Sequence, residues 1–182
     1  MESTILYEQH ADLVQKCREG DSRGFKQLYD HYSGAMYNTS LRILNNTVEA
    51  EDILQESFMD AFRNIHSFEN KSSFGAWLKQ IVINKSINLL KKKKITLIET
   101  NADEIECENT EEEGAGWKVQ QVKDAIKKLP DGYRTTLTLY LLEGYDHEEI
   151  AQIMGVAEST TRTQYIRAKK KLLEIIKSGS HE

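Results

Sequence analysis

The side chains best suited to chemistry lie in "YDHEEIAQIMGVAESTTRTQYIRAKKK", residues 145–171. Asp146 followed three residues later by Glu149 makes a capping box for a helix whose buried side is Ile150, Ala151 and Met154. Gly155 allows the left-handed turn that ends that helix, and a second helix follows within three or four residues. This is helix-turn-helix spacing. On the second helix Thr161, Tyr165, Ala168 and Leu172 recur at steps of four, three and four and point inward. At 100° per residue the opposite side presents Ser159, Thr163, Ile166 and Lys170, with Arg162 and Arg167 on its flanks and Thr160 in its first turn. In helix-turn-helix docking the start of this helix meets base edges. Ser159, Thr160, Arg162 and Thr163 are then hydrogen-bonding readers, and Ile166 meets a thymine methyl. Arg167, Lys169, Lys170 and Lys171 lie nearer phosphates. A basic, solvated end of an ordinary helical hairpin would carry the same residues.

A second cluster has the opposite charge. "VEAEDILQESFMDAFRNI", residues 48–65, places Glu49, Asp52, Glu56 and Asp60 on one helical face. Ala50, Leu54, Phe58, Ala61 and Ile65 share the other, while Ile53 and Met59 border the acidic side as an apolar rim. Such a face suits a basic protein partner better than a phosphate backbone, and it is also the pattern of a solvated outer surface. Next comes "SFENKSS", with Asn70, Lys71, Ser72 and Ser73 as polar candidates. Phe68, Phe74 and Trp77 form a set able to stack on single-stranded bases, although Phe74 and Trp77 also fit a helix core. Lys79, Asn84, Lys85 and Asn88 follow along the next helix, which ends in Lys91–Lys94. That basic end can hold phosphates or offset the helix dipole.

The elements that must position these groups are helical. Residues 10–18 form a short helix. A second, capped by Asp21, carries Phe25, Leu28, Tyr29, Tyr32 and Met36 at three- and four-residue spacing. The third has Thr47 as its expected cap, and the fourth sets Phe74, Trp77, Leu78, Ile81, Val82 and Leu89 on one broad face. Helices over 117–128, 132–143, 147–154 and 158–177 follow, with the only proline, Pro130, between the first two. The fold class is all-α: two small helical domains, 1–94 and 117–182, joined by a flexible acidic linker, 95–116.

The net charge of −5 over 182 residues argues against DNA binding until it is divided. Residues 1–94 hold 13 basic and 12 acidic side chains, and residues 117–182 hold 11 and 9. The linker holds 8 carboxylates and no base, so the acidity belongs to it. Its self-repulsion should keep it extended, and the flanking domains keep local basic faces for phosphate contact. Cys17 and Cys107 are too few and isolated for a metal site or disulfide framework. The five histidines are scattered, and nothing forms a nucleophile–base pair or a phosphate-binding glycine loop. No metal, cofactor or catalytic residue is expected, and the chain does not read as an enzyme. Lacking a membrane-length apolar run or a signal core, it is expected to be cytoplasmic, with no membrane insertion.

From "LPDGYRTTL" through "KKKLLEII" the C-terminal half resembles the fourth conserved region of sigma-70-type RNA polymerase sigma factors. "AEDILQESFMDAF" followed by "FENKSSFGAWLKQIVINKSINLLKKKK" resembles the second region. With only a short linker between them, the chain is similar to the extracytoplasmic-function (ECF) group over residues 11 to 177. The resemblance implies that Asp52, Gln55 and Glu56, with Glu49, Ile53 and Met59, dock on the clamp helices of core RNA polymerase. It implies that Phe68 and Asn70–Ser73 capture an unstacked base of the −10 element, assisted by Lys79, Asn84, Lys85, Asn88 and Lys91. It also implies −35 reading by Ser159, Thr160, Arg162, Thr163, Ile166, Arg167 and Lys170. The linker would thread the polymerase cleft. Partners would be core polymerase, double- and single-stranded promoter DNA and, by family habit, an anti-sigma factor. The chain departs from the pattern at Thr161, where a valine-type residue is usual, and at Gln164, where many relatives are basic. Ala157 replaces a polar N-cap, a loss of roughly 1 kcal/mol. The function implied is an alternative sigma factor that directs promoter recognition and opens DNA by binding flipped bases, without ATP hydrolysis. A stand-alone helix-turn-helix regulator and an adaptor that no longer reads DNA are the alternatives.

Overall fold

A computed structural model describes residues 10–93 and 119–179, and every regular element among them is helical. The chain divides into two compact units between Leu90 and Lys91. The acidic segment 95–116 lies outside the described residues, as does Cys107.

The first unit contains α1 (Ala11–Arg18), α2 (Ser22–Leu44), α3 (Thr47–Arg63), a 3-10 turn (Ile65–Ser67) and α4 (Phe74–Lys92). Asp21 caps α2 as expected, its carboxylate accepting the Arg23 N–H at 2.8 Å. The cap of α3 is Asn46 and not Thr47. Asn45 adopts a left-handed φ of 53° that closes α2, and the extended Asn46 then aims its Oδ1 at the Glu49 N–H, 3.2 Å away. Asparagine tolerates the left-handed region better than most residues, so two residues end one helix and start the next.

Leu28, Met36 and Ile43 from α2, Ala50, Leu54, Phe58 and Ala61 from α3, and Leu78, Val82, Ile83, Ile87 and Leu90 from α4 form the buried interior. The face of α4 differs from the sequence expectation. Ile81 and Leu89 are only half-buried, while Ile83, Ser86, Ile87 and Leu90 are buried. This helix is apolar around much of its circumference between residues 78 and 90, so periodicity leaves its rotation open. The rotation is marked by a buried contact with α2, where Ser40 and Ser86 share a hydrogen bond at 3.0 Å. Because Ser86 donates its own proton to the Val82 carbonyl at 2.8 Å, Ser40 is the donor between the helices. Small side chains at that point let the two hydroxyls meet inside the core. Gly75 serves a similar end, since a Cβ there would lie 2.6 Å from the Tyr32 ring.

The second unit contains α5 (Val119–Lys127), α6 (Asp131–Leu141), α7 (His147–Met154) and α8 (Glu158–Gly179). Leu129, Leu137 and Ala168 form its centre, with Ile126, Tyr133, Tyr165, Leu172 and Ile175 packed around them. Buried Arg134 ties the α5–α6 corner by donating to the Leu129 carbonyl at 2.9 Å and pairing with Asp131. The interior is unusually polar for a core: Thr135, Thr136, Thr138, Thr161 and Gln164 are buried. Gln164 is therefore not an outward position awaiting phosphate. It is fully enclosed and accepts the Thr136 hydroxyl at 2.7 Å. The stripe Thr161, Gln164, Ala168 lies on one side of α8; the amide oxygen of Gln164 finds a partner there, while its Nε2 is buried without one.

The capping box of α7 forms in full: Asp146 accepts from the Glu149 N–H at 2.8 Å, and Glu149 accepts from the Asp146 N–H at 2.9 Å. Gly155 ends the helix at φ 69°. Replacing Asp146 with Ala removes one half of this reciprocal pair, and thermal or urea unfolding should show a loss of about 1 kcal/mol.

Candidate functional site

The start of α8 is built by α7 beneath it. The Thr161 hydroxyl lies 3.1 Å from the His147 carbonyl and 2.8 Å from that of Glu158, tying the first turn of α8 to the first residue of α7. The His147 ring stacks on Tyr140 at 4.7 Å and meets Tyr165 edge-on at 5.7 Å. Of the expected readers, Ser159 and Lys170 are exposed, Ile166 is 43% exposed, and Thr160, Thr163 and Arg167 are half-buried. The Thr163 hydroxyl donates to the Ser159 carbonyl at 2.9 Å. Arg162 is exposed and held at both Nε and Nη2 by the Glu158 carboxylate, at 3.1 and 2.5 Å. Glu158 was missed at the sequence level although its i, i+4 spacing to Arg162 is a readable ion-pair signal.

On α3 the division of faces is as expected. Asp52, Gln55 and Glu56 are exposed, Glu49 is half-buried, and Met59 is 52% exposed. Ile53 is a correction: at 5% exposure it belongs to the core and contributes no apolar rim. It sits 100° beyond Asp52, far enough round the helix to be covered. A second correction concerns Lys85. Its ammonium lies 2.6 Å from Asp60 and 3.5 Å from Glu56, so it braces the acidic helix. The hydrogen bond to Asp60 raises its pKa above the ordinary lysine value, with Coulombic attraction to both carboxylates adding to it and partial burial opposing it. Asn84, Asn88 and Lys91 on the same helix are exposed, and Lys79 is half-buried.

The loop before α4 forms one side of a cavity of about 240 Å³. Asn70, Ser72 and Ser73 line it, with Asn70 in the left-handed region at φ 56°. Lys71 is exposed and pairs with Glu69 at 2.5 Å. Phe68 is not an open stacking platform. It is 5% exposed and packs against Phe74 at 5.8 Å and Trp77 at 5.2 Å, forming a wall of the cavity. The opposite wall comes from His10, Ala11, Val14 and Tyr32, which sequence reasoning did not connect with the loop. Their signal was absent because the contacts span tens of residues; Arg18, for example, donates to the Phe68 carbonyl at 2.5 Å across 50 positions.

The geometry thus defines a helical protein with a helix-turn-helix unit and a second unit carrying an acidic helix and a polar loop cavity. The family model for sigma-70 region 2 matches residues 28–95, and that for sigma-70 region 4 matches residues 119–172. The ECF RNA polymerase sigma factor SigW of Bacillus subtilis is 30% identical over 172 residues, covering 87% of this chain and 92% of the relative. The ECF RNA polymerase sigma-E factor of Salmonella typhimurium is 31% identical, covering 87% and 89%. Among solved structures, the sigma factor RpoE bound to the anti-sigma factor NepR from Bartonella quintana aligns with TM-score 0.56 and 25% identity, over 84% of this chain and 96% of that one. The chain belongs to the sigma-70 family of RNA polymerase sigma factors, in its extracytoplasmic-function group, and is an alternative sigma factor.

Two expectations follow from the ion pairs and rings. Lys85→Met keeps the aliphatic stem and removes the brace; because both partners are partly solvated, the loss should be at most about 1 kcal/mol and shrink at high salt. Denaturant titrations at two ionic strengths check this. Burial, then the Arg162 charge, lowers the pKa of His147 below 6.5, outweighing the opposing effects of Glu158 and Asp146. The unfolded state therefore binds more protons, so this contribution is complete above pH 6.5 and declines as the pH falls through that value. Hydrogen-exchange protection in α6–α8 of the full chain should drop between pH 7 and 5, and less so in His147→Gln.

Proposed function

We propose that this sigma factor divides its work among three surfaces. The outer face of α3, with Asp52, Gln55, Glu56, Glu49 and Met59, docks on a basic surface of core RNA polymerase. The loop Phe68–Ser73 and the exposed side of α4, with Asn84, Asn88, Lys91 and Lys79, take the single-stranded −10 region. The outward side of α8, with Ser159, Thr160, Arg162, Thr163, Ile166, Arg167 and Lys170, reads the −35 region in the major groove. Ile53 and Lys85 act indirectly, the first by packing α3 and the second by bracing its carboxylates.

One observation carries this reading: the polar loop cavity and the acidic face are separate places on a single compact unit. Phe74 at the cavity and Lys85 at the carboxylates are eleven residues apart on α4, roughly 16 Å of helix. Carboxylates that would repel phosphate are thereby kept away from the DNA path, and a protein partner and a DNA strand can be held at once. Opening would draw on the binding energy of captured bases, with no catalytic residue of the chain involved. No helix among the described residues is long and apolar enough to cross a membrane, in keeping with work in the cytoplasm. An anti-sigma factor, as in the RpoE–NepR complex, would cover one or more of these surfaces.

Run-off transcription with purified core polymerase is the test. Promoter-dependent transcripts should require the chain; DNA binding without initiation would overturn the reading. The double substitution Asp52→Lys, Glu56→Lys should weaken association with core polymerase by at least tenfold while the fold persists. Arg162→Ala should cost roughly 1–3 kcal/mol at one −35 position and relax base preference there, measured by binding to single-base promoter variants.

A further inference from the structure

The loop cavity has a second wall that the region 2 match covers only in part: the match begins at residue 28 and takes in Tyr32, while His10, Ala11 and Val14 precede it. We propose that α1 completes the nucleotide-capture cavity, and that Tyr32 together with His10 is its specificity-determining wall, selecting which unstacked base enters. The proposal rests on the reading of the loop as a single-strand site and adds the residues that choose the base.

Three observations carry it. The loop is anchored to α1, since the Arg18 guanidinium donates to the Phe68 carbonyl at 2.5 Å. The cavity is therefore a built one, and the relation of its two sides does not depend on the loop alone. Next, the lining has the character of a nucleobase and not of a phosphate. Phe68 and Phe74, set edge-on at 5.8 Å, and Val14 offer apolar and aromatic surface. The polar groups are hydroxyls, an amide and an imidazole, and no Lys, Arg, Asp or Glu is among the described residues that line it. A phosphate would call for a cation, whereas a flat, neutral, hydrogen-bonding ring matches aromatic walls with a few placed polar atoms.

The third observation concerns the placement of those polar atoms. The Tyr32 ring lies against Gly75 so closely that a Cβ would come within 2.6 Å of it. Its hydroxyl is then fixed by a hydrogen bond shared with His10 Nδ1 at 2.9 Å, and the His10 ring is in turn packed on His31 at 4.3 Å. Burial and the neighbouring His31 both lower the pKa of His10, favouring the neutral ring. The Tyr32 oxygen also accepts a backbone hydrogen bond from Gly75, and whichever of the pair donates, the two side chains keep one further donor for a ligand. A base that matches them is retained; one that does not leaves a partly buried polar group unpaired.

The test uses the full chain in complex with core polymerase and forked DNAs whose single-stranded non-template segment carries each base, or an abasic site, at each position in turn. Tyr32→Phe and His10→Phe should each reduce discrimination at one nucleotide position by roughly tenfold, leaving affinity for the abasic DNA unchanged. Equal weakening on every DNA, abasic included, would mean a structural role and overturn the proposal. Unchanged discrimination in both variants would also overturn it, provided Asn70→Ala with Ser72→Ala abolishes the preference. If that loop variant keeps full discrimination as well, the base-capture reading itself fails.

Discussion

The first unit depends on the rotation of α4, and that rotation is marked where Ser40 meets Ser86. A hydroxyl pair buried between two helices must meet to satisfy its hydrogen bond, and only one stripe of α4 offers such a hydroxyl. Once Ser86 faces α2, its neighbour Lys85 is turned by 100° toward α3 and reaches Asp60 and Glu56. Three turns earlier, the same rotation puts Phe74 into the aromatic group that walls the loop cavity. The acidic face and the loop cavity of the unit thus share one helix whose rotation this contact marks.

Electrostatics then separates the tasks. Lys85 compensates part of the acidic helix from within the unit, while Asp52 stays exposed. Partial burial of its stem and solvation of its head let a single lysine serve both packing and charge. The described residues that line the loop cavity carry no formal charge, in contrast to the charged acidic face of the same unit.

The helix-turn-helix unit makes the opposite choice, placing polarity inside. Thr136 and Gln164 share a buried hydrogen bond, and Thr161 bonds back to the start of α7. Apolar packing tolerates small slips, whereas a buried hydrogen bond is lost by them, so these links define the rotation of α8 more sharply than leucines would. That rotation decides which side chains look outward, and it presents Ser159 and Ile166 while enclosing Gln164.

Local signals in the sequence determined a good deal. The Asp21 cap, the Asp146–Glu149 capping box, the Gly155 turn and the two faces of α3 each rest on interactions within a few residues, so spacing alone discloses them. The all-α class and the candidate reading helix follow from the same periodicity. What only the tertiary structure decided involves partners far apart in the chain. Ile53 is core because neighbouring helices cover it, Lys85 turns to carboxylates some thirty residues away, and Gln164 is enclosed because Thr136 waits for it. Phe68 became a cavity wall, and α1 a part of that cavity, through an Arg18 contact across 50 positions. No local pattern encodes such a pairing, since its energy exists only once both segments have been brought together.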